Sequence, residues 1–347
     1  MEVQGGEVAM LRVAVICLKA SFVLFIAALT SAASAETSVV RISRQPSLPY
    51  LALMVMEEQK LMEKHARAAG LGEVTVGWLV VGGGNATNEA LLSGNLEFGN
   101  AGIPAVMTAW DRTKNSSNPI KAVCAYNSAP VFLNTRNPEV KTIRDLTQKD
   151  KIALPAVKVS IQALILQMAA AQTFGKSKYN QLDNLTVSLP QVDANQALLS
   201  GVADITANFA SPPTQYQQLK NPGIRTILNS YDVLGGPATL GLVYTSSKFH
   251  DGNPKTYGAF LAAYREANEF IRQKPREAAQ LYLRVSKDRN PAEFILSMIN
   301  DPAIDFDMVP KGLERYAGFM HEVGTIRNKP SSWKDLVFPE MHQAGGS

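Results

Sequence analysis

The strongest constraint on the fold is internal. The segment Asn88-Glu89-Ala90-Leu91-Leu92-Ser93-Gly94-Asn95-Leu96-Glu97-Phe98 returns 107 residues later as Asn195-Gln196-Ala197-Leu198-Leu199-Ser200-Gly201-Val202-Ala203-Asp204-Ile205, with six of eleven positions identical. Both copies read as a short helix, a glycine stop and a strand opened by an acidic residue. Each follows an apolar strand pattern, Val74–Val81 in one case and Leu185–Leu189 in the other. An offset of this size exceeds any solenoid repeat and suits two lobes of similar build. A length of 347 residues agrees, since domains average about 150 residues.

Composition narrows the class further. Hydrophobic residues make up 46% and charged residues 18%, an ordinary globular balance. Lysine and arginine total 34 against 30 acidic residues, with no run of basic residues longer than two, so no nucleic-acid stripe is present. The apolar stretch Ala20–Leu29 follows Arg12 and Lys19 and precedes Ala33-Ser34-Ala35, the pattern of a cleaved signal peptide. It is short for a permanent membrane anchor. Cleavage after Ala35 is therefore expected, leaving an exported protein of 312 residues. Of the two cysteines, Cys17 would leave with this segment, and Cys124 reads as an inert core thiol in the strand Lys121–Tyr126.

Along the chain, strand and helix signals alternate. Ser38–Ser43, Val74–Val81 and Leu96–Asn100 read as strands, and Tyr50–Ala69 as one long helix closed by Gly70. In the second half, Lys151–Pro155 reads as a strand. Ser160 then caps a helix over Ile161–Phe174 that ends at Gly175, Asp193 caps the repeated helix, and Ser211 with Pro212 opens another. Helices are expected over Tyr257–Gln273, Pro275–Val285, Pro291–Ile299 and Lys311–Val323, with interlobe crossings near Val131–Thr135 and Pro237–Thr245. Alternating units of this kind build an α/β fold in which each lobe has a mixed, mostly parallel sheet flanked by helices. The expected lobes are 36–132 with 242–347, and 133–241.

Catalytic constellations are missing from this pattern. His65, His250, His321 and His342 are scattered without metal-ligand spacing, and His65 and His342 read as solvated. There is no Gly-x-Ser-x-Gly elbow, and Gly82-Gly83-Gly84-Asn85 lacks the lysine of a phosphate loop. What stands out instead is a set of helix N-termini after the parallel strands, where open α/β sheets hold ligands and free N–H groups favour anions. They carry Pro49 and Tyr50, Gly84 and Asn85, Gly102 and Ile103, then Lys158, Val159 and Ser160, and Asn208, Ala210 and Ser211. Each has a plainer reading. Ser160 and Ser211 are ordinary caps, Tyr50 suits a core, Lys158 suits a solvated surface, and the glycine run suits a turn.

Ala90-Leu91-Leu92-Ser93-Gly94 … Phe98-Gly99 … Gly102-Ile103-Pro104-Ala105 resembles an "A-L-x-x-G-x-x-D-F-G … G-x-x-P" stretch, with Glu97 in place of the aspartate. Thr142–Leu146 with Lys151–Pro155, and Ala197–Asp204, resemble its second-lobe counterparts. These are marks of the periplasmic solute-binding proteins of ABC importers for nitrate, sulfonate, taurine and thiamine precursors. The resemblance implies a two-lobed, type II-like periplasmic-binding-protein fold with two hinge crossings, no cofactor and no metal. It implies a monomer that closes on a small-molecule ligand and presents it to a membrane permease. Asn85, Tyr126 and Ser160 would hold polar atoms, and Tyr50 and Ile103 would pack the ligand body. Where the family often shows Gly-Ser-Ser, this chain has Ala156–Ser160, so Ile103, Val157 and Val159 make the pocket comparatively apolar and suit a larger organic anion. A sensory lobe for a membrane receptor and an exported enzyme on the same fold are the competing readings.

Overall fold

A computed structural model describes residues 36–201 and 204–347, and residues 38–347 form one compact unit. The expected signal peptide lies outside the described residues. Strand β1 (Val39–Ser43) leads through a 3-10 turn at Leu48–Tyr50 into α1 (Leu51–Glu58) and α2 (Leu61–Ala68). Then follow β2 (Thr75–Leu79), α3 (Gly84–Leu92), β3 (Gly99–Gly102), α4 (Ile103–Thr113) and β4 (Ile120–Ser128). The chain continues with β5 (Phe132–Thr135), β6 (Ile152–Leu154), α5 (Ile161–Phe174), β7 (Thr186–Ser188), α6 (Gln191–Ser200), β8 (Ala207–Ala210), α7 (Thr214–Gln218), β9 (Arg225–Asn229) and α8 (Ser230–Leu234). It closes with β10 (Thr239–Ser246), α9 (Ser247–Gly252), α10 (Pro254–Gln273), α11 (Pro275–Ser286), α12 (Ala292–Ile299) and α13 (Leu313–Glu322).

The repeat in the sequence becomes a repeat in topology. One sheet runs β7-β6-β8-β5-β9, with β6 parallel to β7 and β8, and β5 antiparallel to β8 and β9. On the other side β1 pairs in parallel with β2, a parallel bridge from Ile42 to Phe98 leads to β3, and β10 lies antiparallel between β3 and β4. The order β2-β1-β3-β10-β4 thus matches the second sheet place for place. In each sheet the antiparallel strand, β5 or β10, comes directly from a crossing of the chain. Both copies of the repeated stop use a left-handed glycine, Gly94 at φ +73° and Gly201 at φ +75°, a conformation that side chains resist.

The crossings lie between Ser128 and Phe132 and between Asn229 and Thr239. They are tied to each other, because Val131 N donates to Ser230 Oγ at 2.9 Å and Ser230 N donates to Val131 O at 3.0 Å. One apolar core includes helices of both sheets, while Ala194 and Leu198 of α6 pack with Ala153, Ile205 and Ile224 in a second, smaller cluster. Phe98, which opens the first repeat's strand, is fully buried and stacks on Phe260 with centroids 4.0 Å apart.

Several local expectations need correction. The helix expected over 50–69 is two helices, broken at Lys60, which is left-handed at φ +52°. Leu51–Met56 are all buried, whereas α2 buries only Leu61, Met62 and Ala66, so α1 is enclosed between α10 and α11 while α2 lays one face on α10. Helix α3 starts at Gly84 rather than Asn88, directly after Gly83 at φ +94°, and residue 84 has no room for a side chain because a Cβ would fall 2.4 Å from that of Ala105. Pro190, not Asp193, precedes α6, and Pro213 rather than Ser211 precedes α7. Nor are His65 and His342 merely solvated: the first bonds Glu266 at 2.7 Å, the second the Lys334 carbonyl at 3.1 Å.

Asp150 fastens the turn before β6. It accepts from Asn137 Nδ2 at 2.9 Å, Thr206 Oγ1 at 3.0 Å and Thr147 N at 3.0 Å. Burial pushes its pKa up, but these donors outweigh burial and hold the carboxyl below the usual range. A depressed folded pKa gives stability that is complete above the unfolded value of about 3.9 and is lost as pH falls through the folded one. Asp150→Asn is expected to cost about 1–3 kcal/mol at pH 7 and to flatten the loss of stability below about pH 4. Urea unfolding across pH checks this, and equal acid slopes in both proteins would contradict it.

Candidate functional site

The site forms where β3 and β10 cross at the carboxyl ends of the first sheet's parallel strands. Gly102 pairs with Gly241 on β10, which in turn pairs with Asn127 on β4. A Cβ on Gly241 would fall 2.3 Å from the Ala101 carbonyl and 2.5 Å from the Tyr126 hydroxyl, so the Tyr126 ring lies over bare glycine backbone. Tyr50 stacks on Tyr126 with centroids 4.6 Å apart, and their hydroxyls are 3.4 Å apart. Burial raises both phenol pKa values, more strongly for Tyr126, so the pair stays neutral and one O–H remains able to donate outward.

The other half reaches this floor through α5. Gly102 faces Ile161, with the position of its absent Cβ 3.5 Å from Ile161 Cβ and 3.7 Å from Ile161 N. The N-termini of α4 and α5 therefore meet, one from each sheet. Ser160 caps α5, its Oγ accepting from Ala163 N at 3.2 Å. Gly102 makes no side-chain cap and Pro104 has no N–H, so the first-turn N–H groups of Ile103 and Ala105 have no partner within their helix. Such ends favour electron-rich groups.

The expected site residues divide on this geometry. Tyr50, Tyr126, Gly102, Ile103 and Ser160 gather at the meeting point. Pro49 is buried beside Tyr50, and Gly84 packs against Ala101 and Ala105 with Asn85 exposed next to it. Val159 and Lys158 are exposed on the loop leading to Ser160, Lys158 in the left-handed region at φ +66°. The Lys158 charge acts on Asp183, partly offsetting the upward push of burial on that carboxyl. Asn208 is spent inside the second sheet, donating to the Ala153 carbonyl at 2.9 Å and accepting from Gln218 Nε2 at 2.7 Å. Ala210 is fully buried in β8, and Ser211 caps no helix.

Two further residues were not among the expected ones. Gly241 was readable as an isolated glycine in a strand, a sign of close backbone approach. Asn100, on the same face of β3 as Gly102, is buried, donates to the Ser43 carbonyl and has no partner for its Oδ1. No signal in the sequence distinguished it from a core residue. Two cavities lie elsewhere, one of about 290 Å³ along α5 by Arg144 and Asp232, the other of about 470 Å³ between α5 and α13. Neither lies between Gly102 and Ile161, where the two halves touch.

Two matching sheets exchanging one strand each, with helix N-termini meeting between them, define the fold class of the periplasmic binding proteins. The chain belongs to the NMT1/THI5-like family, whose model matches residues 74–278. No curated protein matches it in sequence. The solved structure of the periplasmic aliphatic sulphonate-binding protein SsuA from Escherichia coli shares the fold at TM-score 0.65 and 19% identity, over 87% of this chain and 92% of that one. The alkanesulfonate-binding protein SsuA from Xanthomonas axonopodis pv. citri, bound to MOPS, gives 0.65 at 17%, over 89% and 99%. The periplasmic nitrate-binding protein NrtA from Synechocystis PCC 6803 gives 0.63 at 14%, over 87% and 84%. At these identities the likeness establishes the fold. Among the described residues no helix is long and apolar enough to cross a membrane, and no group of three His, Cys, Asp or Glu residues is arranged to hold a metal ion.

Proposed function

We propose that this chain is an exported, monomeric solute-binding protein that captures a small organic anion between two lobes, 36–132 with 242–347 and 133–241, and delivers it to the permease of an ABC importer. The observation that carries this reading is the meeting of the α4 and α5 N-termini at Gly102 and Ile161, one from each sheet. A ligand held there bonds first-turn N–H groups from both halves at once, so its binding energy favours closure. Tyr50 offers its ring and hydroxyl, Tyr126 backs it, and Ile103 and Val159 contact an apolar body, while Asn85 and Ser160 supply polar atoms at the rim. No bond is made or broken in the ligand. The neighbours that bind sulfonates or nitrate support the ligand class, and the apolar wall of Ile103, Val159 and the stacked phenol rings favours an organic anion over nitrate.

The test is a thermal-shift and calorimetric panel of alkanesulfonates, taurine, carboxylates and nitrate on residues 36–347. A stabilisation of several degrees by one organic anion is expected. Tyr50→Ala should then raise its Kd at least about tenfold, about 1.4 kcal/mol, because truncating an aromatic anchor removes contact area and the hydroxyl that donates to Tyr126 and orients it. Silence across the panel, or wild-type affinity in Tyr50→Ala, would reject the reading.

A further inference from the structure

Beside the second crossing and beyond it, the lobes are joined by a line of contacts that anion capture does not require. On the second-lobe side it runs from the end of α5 to the end of α7, and on the other from α12 to α13. Lys176 Nζ lies 2.5 Å from Glu322 Oε1, and the Tyr179 ring meets Phe319 edge-on at 6.2 Å. Arg315 donates to the Leu234 carbonyl. Tyr231 Oη donates to the Ala303 carbonyl at 2.9 Å, and Tyr216 Oη lies 3.4 Å from Asp301 Oδ2. At the far end Lys220 Nζ stands 3.4 Å from the centre of the Phe294 ring.

These contacts are not equivalent in a hinge motion. Tyr231 and Leu234 belong to α8, in the crossing itself, so their bonds lie near the axis and tolerate rotation. The loop that carries Ala303 and Asp305 is likewise fastened to the first crossing, Asp305 N donating to Ser128 O at 2.7 Å. Lys176, Tyr179 and Lys220 lie well outside the crossings, so their partners must separate or slide when the lobes rotate.

We infer that the pairs Lys176–Glu322, Tyr179–Phe319 and Lys220–Phe294 form a latch that holds the two lobes in the observed touching arrangement before any ligand arrives. The inference rests on the two-lobe capture reading. Its consequence is preorganisation: the closed form is populated in the free protein, and a ligand need not supply the whole free energy of closure. Weakening the latch lowers the closed fraction and raises the apparent Kd by the same factor.

The test reads lobe separation without ligand. Glu89 and Gln196, exposed at matching positions of α3 and α6, are replaced by cysteine and spin-labelled in residues 36–347, where buried Cys124 is shielded from the reagent. The parent should show mainly the short distance. Lys176→Glu with Lys220→Ala should raise the long-to-short ratio about fivefold to tenfold, the sum of a surface ion pair and an exposed cation–π contact. Lys176→Glu with Glu322→Lys should return it to the parent value, which a merely misfolded variant would not do. An unchanged distribution in the double variant, or no recovery on charge exchange, overturns the latch. Because no ligand is present, failure of anion capture does not affect this readout; that failure would show separately as no return toward the short distance when ethanesulfonate is added to the Lys176→Glu, Lys220→Ala variant.

Discussion

Phe98→Ala should lower the unfolding free energy by about 3–5 kcal/mol, the largest effect of any single substitution considered for this chain. Phe98 is fully buried and closes three contacts at once. It stacks on Phe260, meets Phe249 edge-on at 5.2 Å, and bridges β1 to β3 through Ile42. Alanine would leave a cavity between the first sheet and α10 that neither aromatic partner can fill without leaving its own packing. Phe98→Leu, which keeps most of the volume, should cost much less. Urea titrations of the three proteins decide the matter. A loss below about 1 kcal/mol for alanine would mean that the Phe98 ring does not wedge the first sheet against α10.

Gly241→Ala should damage stability and binding together. The added methyl would fall within 2.5 Å of both the Ala101 carbonyl and the Tyr126 ring. One neighbour is backbone in a paired strand, and the other is held by its stack on Tyr50. Relief therefore requires either opening the β3–β10 ladder or expelling Tyr126, at an expected cost of about 1–3 kcal/mol or more. Expelling Tyr126 also removes the floor beneath Tyr50, so the Kd for the captured anion should rise at least about tenfold. Gly258→Ala, on α10 with no atom near its Cβ position, is the control and should be neutral or mildly stabilising. If Gly241→Ala binds like the parent, the stacked phenols are not the floor of the site.

Much of the architecture was legible where backbone chemistry decides locally. Ser160 and Gly175 bound α5 as their capping chemistry requires, and α11 begins at Pro275, where a fixed φ and a missing N–H favour a first turn; α10 begins at Pro254, three residues before the expected Tyr257. The repeat carried the topology, because a helix, a left-handed glycine and a strand recurred in one order. What escaped depended on contacts between distant segments. Nothing in Glu57-Glu58-Gln59-Lys60 breaks a helix by itself, and the turn at Lys60 reflects which neighbours α1 and α2 must face. The glycine at 84 is required because Ala105, twenty-one residues on, leaves no room for a side chain there. Asn208 looked like a cleft amide, yet Gln218 and the Ala153 carbonyl take both its ends. Loop residues at strand ends were identifiable as a group. Which of them meet across the crossings follows from the three-dimensional path.

The most direct measurement is native mass spectrometry of the processed protein purified from its own source, followed by denaturation of the same sample. Capture between the lobes predicts one small organic anion per chain that is released on denaturation, is absent from Gly102→Leu, and stabilises the emptied parent when returned. Gly102→Leu would wedge a side chain against Ile161 at the point where the halves meet. A protein that carries no such mass and is stabilised by no member of the anion panel, or a ligand retained equally by Gly102→Leu, would contradict capture at this site.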